Sequence, residues 1–125
     1  YIVSWIVMNK LLKLILDTLK SKHPRVYHEN APKNAEYPYI VFNINDGLKS
    51  HRDDLILTID IWDRNNSSMV IEDLADTIDR LLDEANLPNE FVLPTFYRQQ
   101  RLKVEDPDKT LKRRQLRFNV QTYFK

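Results

Sequence analysis

Asp54-Leu-Ile-Leu-Thr-Ile-Asp-Ile-Trp62 places Leu55, Leu57, Ile59 and Ile61 at every second position. Side chains alternate across a strand, so these four share one face. A run so regular predicts a β-strand with one buried face. Upstream, Tyr37-Pro-Tyr-Ile-Val-Phe-Asn-Ile-Asn45 carries Ile40, Phe42 and Ile44 in the same rhythm, with Pro38 marking its first residues. The two runs predict an antiparallel hairpin. Its long, mobile tip is Asp46-Gly-Leu-Lys-Ser-His-Arg-Asp53, which holds the one glycine of the chain.

Outward from the hairpin the period changes. Met8, Leu11, Leu12, Ile15, Leu16 and Leu19 fall three or four apart, the stripe of an α-helix that should stop before Pro24. A loop with Asn30, Pro32 and Asn34 joins this helix to the hairpin. After it, Asn65, Asn66, Ser67 and Ser68 offer N-cap oxygens to a second stripe, Ile71, Leu74, Ala75, Ile78, Leu81, Leu82 and Ala85, ended by Asn86 and Pro88. Two further strands are expected over about residues 95–105 and 111–124, separated by Asp106-Pro-Asp-Lys109. In the last, Leu116, Phe118, Val120, Thr122 and Phe124 oppose Arg113, Gln115, Arg117, Asn119 and Gln121. The expected fold class is α+β: two helices packed on a four-stranded, mainly antiparallel sheet, in the order α-β-β-α-β-β.

The chain has 125 residues and fits one domain, 1–125. Tyr1 to Val7 is strongly apolar, but Lys10 and Lys13 interrupt it well before the roughly 20 residues a membrane span needs. No small-residue cleavage site precedes Lys20. With Met8 opening the helical stripe, residues 1–7 read as a leader or non-native extension, and no membrane partner is expected.

Several chemistries find no support. With no cysteine there is no disulfide or thiolate site, and His23, His28 and His51 lack the helical spacing that aims two imidazoles at one metal. One glycine cannot build a phosphate-cradling loop. No nucleophile elbow surrounds Ser4, Ser21, Ser50, Ser67 or Ser68. Glu72, Asp73, Asp76, Asp79, Asp83 and Glu84 resemble an acid–base or cation cluster, yet a solvated helix face explains them as well. The expectation is no enzyme, no catalytic residue, no cofactor and no metal.

Charge is segregated. Residues 1–52 hold eight basic and four acidic side chains, net +4; residues 53–90 hold two and eleven, net −9; residues 91–125 hold nine and three, net +6. The acidic helix of one copy, through Asp76, Asp79 and Asp83, can therefore meet Arg98, Arg101, Arg113, Arg114 and Arg117 of the next, a head-to-tail contact able to close a ring. Neutralisation within one chain is the alternative. The same basic residues, with Lys103, Lys112, Phe96, Tyr97 and Tyr123, also suit a small nucleic-acid-binding module, although no sequence signature of such modules is present. The second face of the hairpin presents Tyr39, Val41, Ile56 and Trp62, more apolar than solvent requires, and with two helices to share it points to a subunit contact.

Pro24-Arg-Val-Tyr27, Ala31-Pro32 and Tyr37-Pro-Tyr-Ile-Val-Phe42 after a short helix resemble the opening of the phage tail-completion proteins, which include tail terminators and head-to-tail joining proteins. Leu57-Thr-Ile-Asp-Ile-Trp62 before an acidic helix, and Arg114-Gln-Leu-Arg-Phe-Asn-Val120, are similar to later parts of that family; the resemblance spans residues 8–124. It implies a structural subunit, commonly a hexamer with copies of itself, at the head-proximal end of the tail in the virion, assembled in the host cytoplasm. The implied partners are the tail tube protein and the head connector or completion protein; non-specific contact with passing DNA stays open on the strength of the basic residues of the last hairpin alone. Leu48, Lys49, His51 and Arg52 in the first loop, and Lys109 in the last turn, lie where ring or connector contacts are expected.

Overall fold

The computed structural model describes residues 2–45, 53–88 and 90–124. The alternating run at 54–62 lies within β3 (Asp53–Arg64), the middle strand of a five-stranded sheet. Its neighbours are β2 (Tyr39–Asn45) and β5 (Leu111–Phe124), both antiparallel to it. β4 (Val92–Val104) forms one edge against β5, and β1 (Val26–His28) forms the other against β2. The spatial order is β1-β2-β3-β5-β4.

Two helices, α1 (Ile2–Lys20) and α2 (Met69–Leu82), cover one face of this sheet. Leu11, Ile15 and Leu19 from α1 and Ile71, Ala75, Ile78 and Leu82 from α2 are fully buried. They meet Ile40, Phe42, Leu57, Ile59, Ile61, Phe96, Leu116, Phe118 and Val120, also fully buried. Each of these side chains except the smaller Ala75 contributes about 1.5–3 kcal/mol of gross hydrophobic stabilisation before chain entropy is subtracted. The α2 entrance is held by side-chain turns: Ser67 Oγ accepts the Met69 amide at 3.2 Å, and Asn65 Oδ1 accepts the Ser67 amide at 3.1 Å. Ser68, at the N-cap itself, makes no side-chain cap bond.

Three expectations need correction. The sheet has five strands rather than four, because β1 lies in the stretch read as loop. Three residues are too few to display a period, and β1 exists only because β2 supplies its partners. Ile40 donates its amide to the Arg25 carbonyl and Glu29 to the Phe42 carbonyl, both at 3.0 Å, while Val26 is buried against the core. The pairing is parallel, so the sheet is mixed and the order is α-β-β-β-α-β-β. The first helix starts at Ile2, not Met8. The tip from Asp46 to Arg52 lies outside the described residues.

A register shift between Arg98 and Gln100 marks a bulge in β4. One extra residue reverses which face the following side chains occupy. Arg98 lies opposite Phe118 and Arg101 opposite Leu116, both on the helix side, whereas Gln100 and Leu102 lie opposite Arg117 and Gln115 on the other side.

Candidate interaction surface

The acidic residues of α2 and the basic residues of β4 and β5 face each other within the single chain. Arg101 spans two carboxylates, donating to Asp76 Oδ1 at 2.6 Å and to Glu72 Oε2 at 2.9 Å. Arg98 Nε lies 3.1 Å from Asp79 Oδ1, and its backbone amide donates to Asp83 Oδ1 at 2.9 Å. Arg114 Nε donates to Glu72 Oε1. This is the neutralisation that stood as the alternative to a contact between copies. Asp76, Asp79, Arg98, Arg101 and Arg114 therefore close α2 onto its own sheet, and the β4 bulge is what turns Arg98 and Arg101 to the same side.

The opposite face of the sheet has no helix over it among the described residues. At one end the register places Tyr39, Trp62 and Arg113 side by side on β2, β3 and β5. The Tyr39 and Trp62 rings stack with centroids 6.5 Å apart, and the Arg113 guanidinium lies 4.8 Å from the Trp62 ring centre. Tyr27 and Tyr37 adjoin Tyr39 at 6.2 and 5.3 Å. Burial, and then the neighbouring Tyr37, raise the Tyr39 phenol above its ordinary value, so it stays neutral at physiological pH.

Arg113 is fixed from below. Its Nε and Nη2 lie 3.0 and 2.9 Å from Asp60 Oδ1, which also accepts from Gln115 Nε2 at 3.1 Å. Asp60 is only 9% exposed although no helix covers it, because the longer side chains around it exclude water. The Tyr37 side is buttressed by Arg25, whose Nε donates to the Glu36 and Pro38 carbonyls at 3.1 and 3.0 Å. His23 Nε2 donates to the same Pro38 carbonyl at 2.8 Å. The Tyr37–Pro38 peptide is cis.

Arg64 continues the platform toward the β4–β5 turn. Its guanidinium lies 5.5 Å from the Tyr37 ring centre and donates to Asp108 Oδ2 at 2.7 Å. Asp108 also accepts the Thr110 amide at 2.9 Å and hydroxyl at 2.7 Å. Thr110, then Arg64, lower the Asp108 pKa to about 2. Arg114 and Arg101 likewise lower Glu72. Carboxyls depressed on folding contribute stability above their unfolded pKa, near 4, and lose it as pH falls through the folded value. Thermal stability should therefore fall on acidification from about pH 4.5 towards 2. The fall should be shallower in Asp108→Asn, as circular dichroism melts across that range would record.

Of the other expected contact residues, Arg117 and Lys109 are exposed. Leu48, Lys49, His51 and Arg52 lie outside the described residues. Tyr27, Tyr37 and Asp60 were missed as members of the surface. Asp60 did leave a signal: it lies at an outward position between Thr58 and Trp62 in the middle of the strand, where a carboxylate shielded from water calls for a cation.

A family model described as tail completion protein gp17 matches residues 12–123. No curated protein sequence matches significantly. Among solved structures, a chain from the virion of a native gene transfer agent particle superposes with a TM-score of 0.64 at 12% identity, covering 83% of each chain. A second solved chain has a TM-score of 0.60 at 15% identity, covering 95% of this chain and 96% of that one. At such identities the likeness establishes a common fold.

Proposed function

Because this chain belongs to the tail completion protein gp17 family, and so is a structural protein of the phage tail in the virion, we propose that it forms a ring at the head-proximal end of the tail tube. There it docks the tail to the head connector, with the uncovered sheet face as its contact surface. The observation that carries this reading is the platform of Tyr27, Tyr37, Tyr39, Trp62 and Arg113 on a face without a helix. Trp, Tyr and Arg dominate the energetics of protein contacts because they bury much area at low entropic cost and keep a polar handle. Here Asp60 and the stacked rings hold Trp62 and Arg113 before any partner arrives, which lowers the ordering cost of association.

The internal ion pairs support the same assignment. With Arg98, Arg101 and Arg114 engaged by α2, their charge is not free to attract another copy or to neutralise nucleic-acid phosphates. The copy number that fits the family resemblance is six. Its tube and connector partners meet the two sides of that ring.

Trp62→Ala is the test. The variant should fold, with a far-ultraviolet spectrum like that of the parent. When it replaces the parent protein during phage assembly, infectious particles should drop by about a hundredfold or more, as for loss of a central contact residue worth about 3 kcal/mol. Heads and unjoined tails should accumulate, visible by electron microscopy. Normal particle yield from folded Trp62→Ala protein would remove the platform from the docking contact.

A further inference from the structure

The edge strand β4 is closed along only half its length. Phe96 exchanges backbone hydrogen bonds with Glu84 and Ala85 at 2.7 and 2.9 Å, and the Pro94 carbonyl accepts from Leu87 at 3.1 Å. Asp83 takes the Arg98 amide. Residues 94, 96 and 98 thus turn their backbone groups away from β5, and the segment after α2 satisfies them. Past the bulge, Gln100, Leu102 and Val104 lie opposite Arg117, Gln115 and Arg113. Alternation then directs the backbone groups of Gln100 and Leu102 to β5 and those of Arg101 and Lys103 outward. Among the described residues, nothing pairs with these outward groups.

The side chains beside this open edge specify what it can accept. On one face lies Leu102, 42% exposed. On the other, Lys103, 3.6 Å from Glu105, leads into a cavity of about 70 Å³ at the β4–β5 turn, where Arg114 in the wall is held by Glu72 and Lys109 and Lys112 supply the further cations against Asp106. Lysine on an edge strand deters indiscriminate pairing, but it favours a strand that brings a carboxylate.

We propose that the β4 edge at Arg101 and Lys103 takes up an extended segment of another virion protein as an added strand, apolar side chains over Leu102 and an acidic side chain in the basic cavity. Main-chain hydrogen bonds supply affinity and the two flanking features supply selection, the general logic of strand addition. This surface is distinct from the Tyr39–Trp62 platform, so either can fail without the other.

The test uses the full chain and a short acetylated peptide alternating valine and glutamate, with amide hydrogen exchange followed by NMR. The amides of Arg101 and Lys103 should slow by about tenfold or more with peptide, while those of Gln100 and Leu102, already bonded to β5, should change little. Lys103→Pro removes one outward amide and no β5 bond, a position where an edge strand tolerates proline. It should abolish the protection at Arg101, and Lys112→Glu should weaken binding about tenfold or more. Unchanged exchange at Arg101 and Lys103 with millimolar peptide overturns the proposal. So does equal protection by a valine–lysine peptide, which would show that the cavity selects nothing.

Discussion

Truncation of Glu72 to alanine is expected to lower the free energy of unfolding by about 3 kcal/mol, read from urea denaturation at neutral pH. The reason lies with its partner. Arg114 is 5% exposed, beneath the start of α2, and its cation reaches Glu72 and the backbone carbonyl of Arg113. Without Glu72, a buried guanidinium loses its counter-charge, while Arg101 loses one of its two acceptors and keeps Asp76. Glu72 is itself 43% exposed, but Arg114 is not, and removing the counter-charge of a buried cation costs far more than the pair contributes because the remaining charge is left desolvated. Replacing both members, as Glu72→Leu with Arg114→Met, should therefore recover most of the loss. A loss under about 0.5 kcal/mol in the single variant would mean that water reaches Arg114 easily and that its pair with Glu72 behaves as a surface ion pair.

Phe118→Ala should be costlier still, about 3–5 kcal/mol. Phe118 is fully buried on β5, opposite Leu57 of β3 and Arg98 of β4, in the layer between sheet and helices. The lost transfer energy is joined by a cavity that neighbours on two strands cannot collapse to fill, since both are fixed by their ladders. A melting temperature lower by roughly 15 °C is expected for a domain of this size. Trp62 provides the contrast: it occupies the other face, so its removal should chiefly affect assembly. If Trp62→Ala destabilised the isolated protein as much as Phe118→Ala, the uncovered face would be a second core and not a docking surface.

Much of the fold was legible because two periods are local properties of the chain. Leu55 to Ile61 and Leu116 to Val120 announced their buried faces by alternation, and the α2 stripe announced its own by three- and four-residue spacing; the buried residues are largely those of these stripes. The outward position of Tyr39 and Trp62 followed from the same alternation. Charge was legible in amount and segregation, but not in direction, since the sequence places Arg98 and Arg101 in one basic run without saying that both turn toward α2.

The sequence by itself determined most of the buried apolar positions, the α+β class and the outward direction of Tyr39 and Trp62, because each follows from side-chain periodicity within one element. Tertiary structure alone decided the fifth strand, the mixed pairing and the destination of the charges. β1 is too short to fold without β2, and the β4 bulge is one residue that reverses a face only once β5 fixes the register. That reversal brings Arg98 and Arg101 over Asp79, Asp76 and Glu72, so that these charges meet within the chain. An ion pair depends on two positions brought close in space, which no single stretch of sequence encodes.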